Sequence, residues 1–272
     1  MYEVVKRFEQ KVANYAGSLY GVAVDSCTNA LFLSLFLVRP VFVHLPKKTY
    51  VGVAQAVINS GAKIIWEDIK WEGVYRLNPS PIVDSARRFR KGMYENGTLY
   101  CLSFHEQKHL PIGRGGMILT NDWMAYQQLR KMRFDGRTEG VPPKEDVFTT
   151  HGFHCYMKPD DAARGLMLMS AVKDDNLDLL ETEYPDLSEN FQVTGGGMMD
   201  RYNPIPGMFI EPNGEWYKAD EADKRIKKLE EALKEIKKGE GRYDRDPLTH
   251  CGNTVEDMKQ IATEALKEGE DG

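Results

Sequence analysis

Leu102-Ser103-Phe104-His105-Glu106-Gln107-Lys108-His109-Leu110, closed by Gly113-Arg114-Gly115-Gly116-Met117-Ile118, holds one lysine in a polar turn between two apolar runs. The first run, from Leu99 to Phe104, and the second, from Met117 to Thr120, read as strands. A lysine fixed in such a turn, partly withdrawn from water, has the lowered pKa that a Schiff-base amine needs. The same residues also suit a plain hairpin whose lysine is solvated, so the rest of the chain must decide.

Working outward, the segments alternate. Val4, Val5, Phe8, Val12 and Tyr15 recur at helical spacing up to Gly17. Gly21-Val22-Ala23-Val24 is a short strand, broken by Asp25-Ser26-Cys27-Thr28-Asn29 before an apolar helix from Ala30 to Leu35. A strand, a small polar turn and a helix start make an anion site, because the first-turn N–H groups and the helix dipole point at its occupant. An ordinary N-cap at Ser26 or Thr28 is the competing use of these residues. Val41 to Pro46 is the next strand, then Thr49 caps a helix from Tyr50 to Asn59, and Ala62 to Ile69 is a third strand. Short links between alternating strands and helices predict a doubly wound α/β domain with a mostly parallel sheet.

Ile82-Val83-Asp84 follows an irregular, proline-bearing stretch and places a carboxylate at the end of a strand. Ligands of open α/β sheets bind beyond the carboxyl ends of strands, which suits Asp84 to a cofactor; a plain N-cap aspartate is the alternative. Trp123 to Phe134 and Pro159 to Ser170 read as helices, the second with proline in its first turn. His154 stands alone and reads as a structural histidine. Beyond Ala171 the pattern weakens into a glycine- and proline-rich linker. Ala222, Ile226, Leu229, Leu233 and Ile236 then form an amphipathic seam, and Val255 to Leu266 a second amphipathic helix. Both suit a docking or pairing role, or simply solvated surface helices.

With 272 residues, 42% of them apolar and 28% charged, the composition is that of a soluble globular protein. A net charge of −5 leaves no basic footprint for nucleic acid. No apolar run approaches a membrane span of ~18–20 residues, and the N-terminus lacks a signal-peptide order. Cys27, Cys101, Cys155 and Cys251 show no metal-ligand spacing, so no metal is expected. The expectation is a cytoplasmic protein.

The order of these motifs resembles the DegT/StrS-like sugar aminotransferases, fold-type I enzymes that use pyridoxal 5'-phosphate (PLP). Ser26-Cys27-Thr28-Asn29-Ala30-Leu31 is similar to the family's Ser-Gly-Thr-x-Ala-Leu phosphate turn. Val83-Asp84-Ser85-Ala86 resembles its Asp-Ala-Ala turn, and Ser103 to Leu110 with Gly115-Gly116-Met117 resembles its Ser-Phe-His-x-x-Lys-x-Leu…Gly-Gly-Met signature. Phe8-Glu9 with Tyr15-Ala16-Gly17, Thr49-Tyr50-Val51, Gly136-Arg137 and Gly152-Phe153-His154 continue the likeness over roughly residues 1 to 187.

The resemblance implies a PLP-dependent transferase domain of the aspartate aminotransferase type over residues 1–190, a linker at 191–213 and a helical appendage at 214–272. Lys108 would bind PLP and move the α-proton, Asp84 would pair with the pyridinium nitrogen, and Ser26, Cys27, Thr28 and Ser103 would hold the phosphate. Tyr50 would stack on the ring. Departures from the pattern are Cys27 for the phosphate-turn glycine, Arg87 for the Gln or His that meets the phenolic oxygen, and His154 and Tyr156 for the Asn and Arg that reach the neighbouring subunit's phosphate. The compact form, without the family's small C-terminal domain, is similar to phage-encoded versions. The implied function is amino transfer from an amino acid, with glutamate as donor, to a keto-sugar or related carbonyl compound in a homodimer. Another PLP-dependent reaction at the α-carbon, dehydration or decarboxylation, is one alternative. A non-catalytic fold that docks a partner through its C-terminal helices is another.

Overall fold

The computed structural model describes residues 2–179, 183–191, 208–210 and 216–218. Two compact units are present, Met1–Met198 and Met199–Gly272.

In the first unit α1 (Tyr2–Ala16) buries Val5, Phe8, Val12, Ala13 and Ala16 along one stripe. It ends at Gly17, whose φ of +87° lets its N–H and that of Ser18 return to the Ala13 carbonyl. β1 (Tyr20–Val24) leads through Ser26 into α2 (Cys27–Val38), which is apolar almost all round and lies in the core. β2 (Phe42–Pro46), α3 (Val51–Asn59) and β3 (Lys63–Glu67) follow, then the two-residue β4 (Tyr75–Arg76) and β5 (Ile82–Asp84). β6 (Leu99–Ser103) and β7 (Gly116–Thr120) flank the lysine turn, before α4 (Trp123–Met132) and α5 (Pro159–Leu168).

The central sheet has the order β1-β7-β6-β5-β4. Side-chain alternation feeds a core on each face. Val22, Val24, Cys101 and Ile118 join α2, α3 and α4, while Ala23, Tyr100, Leu102, Met117 and Leu119 join α1 and α5. Burial on both faces is what the continuous apolar runs of the sequence required.

The expected mostly parallel sheet is corrected to a mixed one. β2/β3 and β5/β6 are parallel, but β1/β7, β6/β7 and β4/β5 are antiparallel. The reason is connection length. A parallel neighbour needs a crossover, whereas β6 to β7 and β4 to β5 are joined by turns alone. β2 and β3 form their own pair, linked to the β4–β5 turn by the His44 N–H donating to the Asn78 carbonyl at 2.8 Å.

Thr49 does not cap α3; Tyr50 occupies the N-cap position without a side-chain bond, and Thr49 turns to Tyr75 instead. The stretch after Ala171 is tied back onto the domain. Leu179 N–H donates to the Arg87 carbonyl, Asn176 Nδ2 to the Phe89 carbonyl and Leu187 N–H to the Lys47 carbonyl, each at 2.9 Å. Asp186 caps the short α6 (Leu187–Asn190).

In the second unit β8 (Met208–Ile210) pairs antiparallel with β9 (Trp216–Lys218). These strands fall in the stretch read as linker and at the start of the expected helix, where aromatic residues favour extended backbone. The seam from Ala222 to Ile236 and the segment from Val255 to Leu266 lie outside the described residues. No helix among the described residues is long and apolar enough to cross a membrane.

Candidate active site

The turn carrying Lys108 is fixed at both ends. Phe104 N–H donates to the Gly115 carbonyl at 2.9 Å, Gly113 N–H to the Phe104 carbonyl at 3.2 Å and Lys108 N–H to the His105 carbonyl at 2.9 Å. One residue beyond the lysine, His109 Nε2 lies 2.7 Å from the Leu177 carbonyl. Gly115, at φ +148°, adopts backbone that an L side chain rarely takes, and a Cβ there would meet Met157 Cε at 2.7 Å. The lysine is therefore neither a solvated hairpin residue nor a core one. It is half-buried, and that burial lowers its pKa; Arg87 pushes the same way, while Cys27 and Asp84 oppose.

Asp84 ends β5 with 6% exposure. No helix follows, so it is not an N-cap. Its Oδ1 accepts the Ala86 N–H at 2.9 Å and its Oδ2 accepts the Tyr75 hydroxyl at 3.0 Å. Burial raises its pKa, against the opposing pull of those two hydrogen bonds and of Lys108. Among the described residues it enters no ion pair.

The strand–turn–helix from β1 to α2 supplies the third part. Ser26 is the N-cap, its Oγ accepting the Asn29 N–H at 3.2 Å. Cys27 and Thr28 open the helix, where backbone N–H groups have no partner inside it. The turn is pressed onto β7: a Cβ at Gly116 would stand 2.5 Å from the Ser26 carbonyl carbon and 2.6 Å from Cys27 N. Arg114 braces it from outside, donating to the Asp25 carboxylate at 2.9 Å. Cys27 Sγ rests 3.8 Å from the Cys101 carbonyl; burial pushes its thiol well up, so it behaves as a neutral packing residue.

These parts converge on one cavity of about 410 Å³, within the ~300–1,000 Å³ common for small-molecule sites. Ser26, Cys27, Thr28, Tyr50, Asp84, Arg87, Ser103 and Lys108 all line it. Tyr50 stands at its mouth, 55% exposed. His154 is not among the lining residues; its side chain, 71% exposed, pairs with Asp135 at 3.0 Å. Lining residues that the sequence reading gave no site role include Thr49, Trp71, Arg114 and Tyr184. Tyr75, just behind the wall, escaped it too. None sits in a periodic run, and only the density of aromatics between Trp71 and Tyr75 could have drawn attention.

The donor set fits PLP. A helix start offers N–H groups for a phosphate, a buried carboxylate without a cationic partner suits a protonated ring nitrogen, and a half-buried amine suits a carbonyl carbon. A second groove, of about 490 Å³, runs by α2 and α4; its one charged lining residue, Asp122, is occupied in capping α4.

A family model described as the DegT/DnrJ/EryC1/StrS aminotransferase family matches residues 1–93 and 84–178. Among solved structures, the chain is similar to AtS13 from Actinomadura melliaura, with 18% identity over 85% of this chain and 76% of that one, at a TM-score of 0.57. The sugar aminotransferase CalS13 from Micromonospora echinospora gives 19% identity, 85% and 76% coverage, and a TM-score of 0.55. A DegT DnrJ EryC1 StrS aminotransferase from Brucella abortus gives 20% identity, 63% and 59% coverage, and a TM-score of 0.53. The chain thus spans less than two thirds of the Brucella protein's length. At these identities the likeness establishes the fold, that of the fold-type I aminotransferases. No curated protein matches the sequence.

Proposed function

The chain belongs to the DegT/DnrJ/EryC1/StrS aminotransferase family, and from that membership we propose that it is a PLP-dependent aminotransferase. Its amino donor is an amino acid, glutamate in the simplest reading, and its acceptor a keto-sugar or related small carbonyl compound. One observation carries this: Lys108 and Asp84 wall the same cavity, and that cavity begins at the N-terminus of α2.

When bound, PLP supplies an electron sink for charge that develops at the substrate carbon. The chain supplies the rest. Lys108 Nζ would hold the cofactor, and its amine would serve as the base that moves a proton at the donor's α-carbon. Its lowered pKa keeps more of the amine neutral at working pH than an ordinary lysine would. Asp84 would keep the ring nitrogen protonated, Ser26, Cys27, Thr28 and Ser103 would hold the phosphate, and Tyr50 would cover the ring. In a homodimer, which this reading favours, His154 would serve the neighbouring subunit's site from the exposed surface. Residues 1–190 are assigned to this cytoplasmic enzyme domain, 191–213 to a linker and 214–272 to an appendage.

The purified chain mixed with PLP should gain near-visible absorbance that Lys108→Ala lacks, and glutamate should then convert the cofactor to its amine form. A chain that takes up no PLP overturns the proposal. Uptake without conversion by any amino donor would reassign the reaction to another PLP chemistry.

A further inference from the structure

We propose that Arg87 is a carboxylate-binding residue, so that a substrate of this site is held by an acid group on the Arg87 guanidinium. The identity of that carboxylate as the amino donor's rests on the aminotransferase reading; the anion site itself does not.

The chain has two buried arginines among its described residues, and they are treated differently. Arg133, 2% exposed, is paired with both Glu9 and Glu139. Arg87, 4% exposed, enters no ion pair with any of the described residues. Of the acids that share a cavity wall with Arg87, the exposed Glu72 makes no ion pair among the described residues, and the other two are committed elsewhere. Asp84 accepts from Ala86 and Tyr75, and Asp178 accepts two bonds from Arg88. A buried charge without a counter-charge is costly, so an arginine that meets no acid among the described residues, in a chain that pairs its other buried arginine twice, is suited to a charged ligand.

What holds Arg87 in place also shapes what it can bind. Its guanidinium lies over the Trp71 ring at 5.6 Å, and Tyr184 stacks on Trp71 with ring planes 17° apart. Trp71 is itself fixed, its Nε1 donating to the Lys48 carbonyl at 3.0 Å. The Trp71 contact takes up no oxygen acceptor, and the planar fork of a guanidinium matches a carboxylate with two parallel hydrogen bonds. Arg87 lines the Lys108 cavity and also an adjoining one of about 460 Å³. A substrate acid passing between the two meets it. The phenolic oxygen of a cofactor ring, which a neutral Gln or His can meet, calls for neither the fork nor the full charge.

The test is calorimetric titration of glutarate, an unreactive dicarboxylate, into the full chain with and without PLP. Glutarate should bind, and Arg87→Gln should weaken it roughly tenfold or more, the scale of a lost charged hydrogen-bond pair. Arg87→Lys, which keeps the charge and loses the fork, should fall between. The resting absorbance of the PLP-loaded Arg87→Gln chain should match that of the unsubstituted chain. Absent glutarate binding, or equal affinity in the Gln and Lys variants and the parent, overturns the proposal. A shifted resting absorbance with unchanged glutarate affinity also overturns it, placing Arg87 on the cofactor ring. Should Arg87→Gln fail to fold, Arg87→Lys alone decides by the same affinity comparison. Arg87-dependent glutarate binding in a chain that takes up no PLP would uphold the anion site and sink the aminotransferase reading.

Discussion

The Tyr75 hydroxyl lies 3.0 Å from Asp84 Oδ2 and 2.7 Å from Thr49 Oγ1, and all three residues are buried. An ionised carboxylate can only accept, so Tyr75 donates to Asp84 and Thr49 must donate to Tyr75. Asp84, the residue proposed to meet the cofactor's ring nitrogen, is thereby held from behind by two neutral hydroxyls in series. Tyr75→Phe removes one bond from the carboxylate and leaves Thr49 Oγ1 without its partner. It should cost about 1–2 kcal/mol in urea unfolding. It should also push the Asp84 pKa further up, since the Tyr75 bond lowers it, which moves the pH at which the PLP-loaded chain's absorbance titrates. An unmoved titration would confine Tyr75 to a structural part.

Asp84 trades stability for chemistry. Burial raises its pKa above the ordinary 3.8, so over that window the folded chain binds more protons than the unfolded one. Stability of the cofactor-free chain therefore falls as pH rises through the window and stays lowered at neutral pH. Asp84→Asn should raise the melting temperature at neutral pH and flatten that fall, while the PLP-loaded variant keeps its colour and loses turnover. A melting temperature lower than the parent's at neutral pH would contradict this account.

Lys108 should reveal its lowered pKa through the pH dependence of PLP uptake, which needs the neutral amine. The uptake rate should rise with pH and reach half its limit below the ordinary 10.5. Because Asp84 raises the Lys108 pKa, Asp84→Asn should move that midpoint lower still. Stopped-flow absorbance at a series of pH values reads both.

Gly116→Ala tests the anion turn without touching a hydrogen-bonding side chain. The added Cβ would collide with Ser26 and Cys27 backbone at 2.5–2.6 Å, so the turn must lift off β7. PLP affinity should drop by about tenfold or more, the cost of misplacing charged hydrogen bonds to a phosphate. An unchanged affinity would show that the turn does not bind it.

Arg133 is a purely structural counterpart. It joins Glu9 of α1, the Ala23 carbonyl of β1 and Glu139, away from the cavity. Glu139 keeps Arg130 when Arg133 is removed, but Glu9 pairs with no second cation among the described residues. Arg133→Met should therefore destabilise the chain by about 3–5 kcal/mol, and Glu9→Gln by less, with the PLP spectrum of the folded fraction unaltered. Chemical denaturation measures the first and absorbance the second.

The sequence by itself determined what depends on neighbours along the chain. Lys108 in its turn, Asp84 at a strand end and Ser26 to Thr28 at a helix start are local arrangements, set by residue type and spacing, and the cavity gathers all of them. α1 and α4 were legible for the same reason, their apolar residues recurring at helical spacing, and α2 as an unbroken apolar run. Tertiary structure alone decided the rest. The sheet is mixed because register and connection length, rather than composition, set strand direction. β4 is two residues long and carries no period, yet it delivers Tyr75 to Asp84 and turns Thr49 from a helix cap into that tyrosine's donor. Residues 171–179 and 183–191 looked like linker because they are held by backbone and polar bonds instead of an apolar stripe, and they bring Tyr184 to Trp71. A turn lysine could be read from its neighbours, but the absence of an ion pair on Arg87 among the described residues could not. Whether a buried charge has a partner depends on which distant segments fold beside it.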